Sequence, residues 1–190
     1  AQPNACSECG PQVTLRDDES ELVKCDDPVA RTVELLKQGY VVAIKGLGGY
    51  HLAVDAENDA AVRKLRKRKE RDEKPFALMS YSTDQVLEYT IASTDDIKLL
   101  SGVERPIVLL NKKDGCSIAD GVAPRNRRFG VMLPYTPLHF LLLKDNFLAL
   151  VMTSGNISDE PIAFEDAEAH GRLNTIADYF LDHNRLIETR

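Results

Sequence analysis

Short runs of β-branched and apolar residues recur along this chain with helix-period segments between them, and that alternation restricts the fold more than any other feature. Residues 41–44, 51–55, 76–79, 106–110, 129–133, 148–152 and 179–181 read as strands. Asp27-Pro28 supplies a cap and a proline at the first helical position, Val29, Val33 and Leu36 an apolar stripe, and Gly39 a stop, which predicts a helix of about three turns. Asn58 opens a second helix with Ala61, Val62 and Leu65 inward, and Pro75 ends that segment. Further helical stretches are expected near 83–89, 94–101, 137–144 and 165–173. The pattern predicts a mixed α/β domain with helices packed on a central sheet and leaves the strand directions open.

The 190 residues, 43% of them apolar, suffice for one packed domain. Residues 1–26 are polar and aperiodic and read as a linker or appendage, so the domain is expected over 27–190. A net charge of −6 argues against a protein that coats nucleic acid or an anionic membrane. With neither an eighteen-residue apolar span nor a basic-then-apolar leader, a cytosolic protein is expected. Cys6 and Cys9 form half of a zinc site, which needs four ligands. Either the other half precedes residue 1 or the pair is two free thiols; with two of four ligands, residues 1–190 are expected not to hold zinc tightly.

Residues 63–74 carry eight positive and three negative side chains in an otherwise acidic chain. For Arg63, Lys64 and Lys67 a solvated helix face suffices. Lys69, Arg71 and Lys74 stand where the helix gives way to the strand after Pro75, so they can converge at a sheet edge, where arginine and lysine suit phosphate oxygens. Thr153-Ser154-Gly155-Asn156-Ile157-Ser158 follows a buried strand directly; it is either a ligand loop for phosphate or ribose oxygens or a plain polar turn. The loop Lys45-Gly46-Leu47-Gly48-Gly49-Tyr50-His51 matches neither G-x-G-x-x-G nor a Walker loop; its glycines open room beside Lys45 and His51. His170 and His183 sit among polar residues and are expected at the surface. His139, among apolar residues, is either a satisfied core histidine or a catalytic one.

Together these stretches resemble the YrdC-like domain of the HypF family, the carbamoyltransferases of hydrogenase maturation. The resemblance rests on Lys45 to Leu52, Leu65 to Met79, Arg105 to Leu110, Met132 to His139 and Val151 to Asn156, in that order, and spans about 28–188. Cys6-Ser-Glu-Cys9-Gly10-Pro11 is similar to the last knuckle of the zinc-finger pair that precedes this domain in the family, and the family continues past Arg190 into a transferase domain.

What the resemblance implies is a YrdC-like twisted mixed sheet flanked by helices, binding ATP with magnesium. Lys69-Glu70-Arg71 and Ser154-Gly155-Asn156 match the K-x-R and S-x-N motifs of the superfamily's threonylcarbamoyl-AMP synthases. The P-T-[ED] stretch those synthases use for threonine is replaced here by Lys45 to Gly49, which favours carbamate. The implied reaction joins carbamate, derived from carbamoyl phosphate, to AMP; other domains of the same polypeptide release the carbamate and pass the carbamoyl group to HypE. Lys69, Arg71 and Lys74 would meet the phosphates, Ser154, Asn156 and Ser158 would orient them, and Lys45, Gly48, Gly49 and His51, with His139, would form the acid's pocket. Rival readings are threonylcarbamoyl-AMP synthesis and an RNA-binding module.

Overall fold

In a computed structural model, which describes residues 10–157 and 161–187, nine strands and six α-helices alternate. They are β1 (Val13–Asp17), α1 (Pro28–Lys37), β2 (Val42–Lys45), β3 (Tyr50–Asp55), α2 (Asp59–Arg68), β4 (Ala77–Met79), α3 (Thr83–Tyr89), β5 (Thr90–Ile91), α4 (Thr94–Leu100), β6 (Val108–Lys112), β7 (Arg128–Met132), α5 (Pro137–Leu143), β8 (Leu150–Ser154), α6 (Asp166–Leu173) and β9 (Tyr179–His183). The expected α/β alternation is therefore present. The strands form one sheet in the order β1-β9-β2-β3-β8-β4-β7-β6-β5. The pairs β2/β9 and β4/β7 run parallel and the other six antiparallel, which settles the directions that the sequence left open.

Residues 13–17 are a correction. They were expected in an appendage, yet they form the edge strand β1, in register with β9 from Val13↔His183 to Asp17↔Tyr179. Only Leu15 of the five is buried, so the segment lacks the apolar weight that marks an inner strand. β6 begins two residues later than expected, because Pro106 cannot donate to the ladder. Cys6, Cys9 and Ser158 lie outside the described residues.

Local chemistry sets the helices as the sequence suggests. The Asp27 side chain accepts from the backbone N–H groups of Val29 and Ala30, and Asn58 caps α2 by accepting from Ala61. Alternate strand residues then feed two cores. Val41, Ala43, Leu52, Val54, Leu78 and Val151 face α2, α3, α4 and α6, while Val42, Ile44, Ala53, Met79, Leu150 and Met152 face α1 and α5. Each fully buried side chain such as Leu52 or Ile44 contributes roughly 1.5–3 kcal/mol. Among the described residues the second face has two helices, and α1 packs on β1, β2, β3, β9 and α5. The β4, β7 and β6 end of that face is left open, with Ile107 and Leu109 56% and 62% exposed.

Candidate functional site

The end of α2 delivers the first cations. Lys69 caps the helix, Glu70 takes the left-handed conformation (φ 49°), and the N–H of Arg71 returns to the carbonyl of Arg66 at 3.1 Å while that of Glu70 bonds Lys67 at 3.2 Å. This turn throws Lys69 and Arg71 toward the edge where β8 ends. Lys69 is buried there, its Nζ donating to Ser154 O and Asn156 O, both at 2.8 Å, and to Asn156 Oδ1 at 3.2 Å. Burial, reinforced by the charges of Arg71 and Lys74, lowers its ammonium to about 8. Ser154 Oγ donates to Asn156 Oδ1 at 2.6 Å, and Arg71 donates to Thr153 Oγ1 at 3.1 Å and to the carbonyls of Lys74 and Pro75. The K-x-R and S-x-N segments are thus one hydrogen-bonded unit.

Above this unit, on the open sheet face, lies a cleft of about 860 Å³. Its floor includes Met152, Ala77, Gly130, Leu109 and Ile107, small or apolar residues on which a flat ring can rest. Among the described residues its walls carry Arg71, Lys74, Arg105, Arg127 and Arg128 and no carboxylate, in a chain whose net charge is −6. Such a lining concentrates anions. At the other end Tyr135 Oη lies 3.2 Å from His51 Nε2.

Lys45 is not in it. Lys45 pairs with Tyr50 and Ile44 with His51 across the β2–β3 hairpin, so Lys45 and His51 occupy opposite faces of the sheet. Lys45 is buried, 2.6 Å from Asp166 Oδ1, and donates to the carbonyl of His183 at 3.1 Å. Tyr50 Oη shares its proton between Asp182 Oδ1 at 2.6 Å and Asp166 Oδ1 at 2.8 Å, and His170 Nε2 is 3.0 Å from Asp182 Oδ2. Burial works against charge on Asp166, yet hydrogen bonds from Lys45 and Tyr50 hold its carboxyl below the usual range. His170, expected at the surface, is buried in this network, because α6 brings it over Phe180, with ring centroids 4.3 Å apart. A hollow of about 890 Å³ opens beside these residues, lined by acids and bases alike. Its buried polar groups bond one another, so the cationic cleft is the better candidate.

The glycines serve packing as much as any ligand. A Cβ on Gly155 would lie 2.6 Å from Tyr50 O, so Gly155 lets the loop approach β3, and one on Gly49 (φ 147°) would lie 2.5 Å from Ile162 Cγ2. Gly48 and Gly49 do not line the cleft. His139 is 1% exposed behind Tyr135 and His51, at ring-centroid distances of 4.6 and 6.1 Å. Among the described residues neither of its nitrogens has a hydrogen-bond partner, so it is not a satisfied core histidine.

One organising residue escaped the sequence reading. Arg66 donates to the carbonyls of Gly121, Val122, Arg71, Asp72 and Lys74 and lies 4.6 Å over the Phe76 ring, while Arg71 lies 5.0 Å from the same ring. Inside a run of like charges Arg66 looks like its solvated neighbours; only its five carbonyl partners set it apart. Among the described residues no group of three or more His, Cys, Asp or Glu is arranged to hold a metal, and no helix is long and apolar enough to cross a membrane.

The Sua5/YciO/YrdC family model, described as "Telomere recombination", matches residues 34–190. The carbamoyltransferase HypF of Synechocystis is 45% identical over 166 residues, covering 87% of this chain and 22% of the relative. That of Rhodobacter capsulatus is 44% identical over 190 residues, covering 100% and 25%. The chain therefore spans about a quarter of the length of these curated relatives. A crystal structure of full-length HypF in the phosphate- and nucleotide-bound form superposes with a TM-score of 0.91 at 46% identity, covering 100% of this chain and 25% of that one.

Proposed function

Since the chain belongs to the Sua5/YciO/YrdC family, we propose that its cationic cleft binds ATP and forms a carbamoyl-adenylate, as the adenylating region of a HypF-type carbamoyltransferase. The observation that carries this reading is the union of Lys69 and Arg71 with the Ser154-Gly155-Asn156 loop beside a cleft rich in arginine and lysine. The similarity to HypF proteins, one of them solved with nucleotide, supports it.

In the proposed reaction a carbamate oxygen attacks the α-phosphorus, the bond to the β-phosphate oxygen breaks, and pyrophosphate leaves with the electron pair. The protein has no covalent step to perform and supplies position and positive charge. Arg71 and Lys74 meet the charge that develops on the leaving group. Lys69, with its N–H groups on the loop, holds Ser154 and Asn156 in place. Magnesium, carried on the phosphate oxygens, would add positive charge there; among the described residues the lining offers it no carboxylate. His51 and Tyr135 stand at the end left for the small acid, and Lys45 braces the opposite face. Other parts of the relatives' length would generate the carbamate and pass the carbamoyl group on to HypE.

Calorimetry tests the first step. Arg71→Ala is expected to weaken ATP binding by ~1.5–3 kcal/mol through loss of a charge-assisted contact. Unchanged affinity would remove Arg71 from the site. Pyrophosphate exchange into ATP, stimulated by carbamoyl phosphate in the complete protein and not by threonine, tests the second.

A further inference from the structure

We propose that Arg128, with Arg127 beside it, grips the terminal phosphates of the nucleotide across the cleft from Ser154; this rests on the reading of the cleft as an ATP site. The sheet register places these residues. His51 pairs with Ser154, and Asn111 with Arg128. Continuing the β4–β8 register (Leu78↔Val151) and the β4–β7 register (Ala77↔Gly130) back to residue 75 sets Pro75 between Ser154 and Arg128. One row of the sheet therefore reads His51, Ser154, Pro75, Arg128, Asn111, with Ser154 and Arg128 two strands, or ~10 Å, apart on the same face. A triphosphate laid along this row from Ser154 ends at Arg128.

The donor inventory points the same way. Lys69 commits three N–H contacts to the 154–156 loop, and Arg71 gives three bonds to Thr153, Lys74 and Pro75. Among the described residues Arg128 gives its Nε to Asn111 Oδ1 at 3.3 Å and lies within electrostatic reach of Asp96, and its two terminal amino groups make no hydrogen bond, so they can meet a ligand. The row is also graded in charge. The uncharged His51 side chain stands at one end, beside which a carbamoyl group can sit; Arg71 lies midway on Thr153 and Pro75, and Arg127 and Arg128 stand at the other end, where the departing pyrophosphate concentrates its charge. Arg125 of the 125–128 segment and Glu73 of the 69–74 turn form an exposed ion pair between the two cationic walls.

The test is calorimetric titration of ATP and AMP into the chain and its variants. Arg128→Ala should lower ATP affinity about ten- to a hundredfold and AMP affinity less than about twofold, because AMP lacks the phosphates that Arg128 holds. Arg128→Lys keeps the charge without the fork and should fall between. Arg63→Ala, exposed on α2 and outside the cleft, should change neither. Equal losses for ATP and AMP, or no loss for either, would overturn the assignment; Arg128→Gln, closer in length, repeats the comparison if the alanine variant unfolds. Failure of the parent chain to bind ATP at all would instead remove the ATP reading and this inference with it.

Discussion

His139 and His51 bring nitrogens into the interior without giving them partners among the described residues. An unpartnered buried polar group costs roughly 1–3 kcal/mol. Burial holds His51 down at about 4, and burial together with the nearby His51 holds His139 down at about 3. In the unfolded chain both titrate near ~6.5. Below that pH the unfolded state takes up protons that the folded state refuses, so this part of the stability is complete above ~6.5 and is lost as pH falls toward the folded values. His139→Leu removes two unpartnered nitrogens and a titrating group while conserving most of the volume. Its thermal stability at pH 7 should match or exceed the parent by up to ~1 kcal/mol, and the advantage should widen at pH 5. A destabilisation equal at both pH values would show that His139 has partners after all.

The turn that ends α2 gives the element scale its own test. Glu70 holds the left-handed position that glycine usually fills, and its exposed side chain makes no hydrogen bond among the described residues that would repay the strain. Glu70→Gly should raise stability by ~0.5–1 kcal/mol in urea unfolding, offset partly by the glycine's freedom in the unfolded chain, and should leave ATP affinity unchanged. A loss of affinity would mean that Glu70 itself faces the ligand. Elements of this kind were legible beforehand where local chemistry decides them: Asp27-Pro28, Asn58 and Pro137 start α1, α2 and α5 as their cap and proline signals require. The K-x-R and S-x-N segments stood out in the sequence as candidates for phosphate chemistry; that they meet is a tertiary fact carried by Lys69. Lys45 was misplaced because strand alternation, rather than nearness in sequence, decides its face. It emerges opposite His51 and finds Asp166 more than a hundred residues onward. β1 was missed because an edge strand with one buried residue carries no pattern of its own.

At the scale of the molecule, the sheet draws its neighbours from distant parts of the chain. β9 sits between β1 and β2, parallel to one and antiparallel to the other, while Asp178 just before it accepts from the backbone N–H of Val41 and pairs with Lys64 and Arg68. This placement governs the order of events as the chain is made. A chain emerging from the ribosome exposes β1 and β2 early, yet neither meets its β9 neighbour until residues 179–183 appear, and meanwhile both present unpaired backbone edges. Pairings between distant segments also form slowly, because a large loop must close before they repay its entropy. Pulse-labelled hydrogen exchange during refolding should therefore find amides of β3, β4, β7 and β8 protected before those of β1 and β9; simultaneous protection of all strands would contradict this order. The last strand thus acts as a timer, leaving the nascent sheet dependent on protection from aggregation until synthesis has passed residue 183.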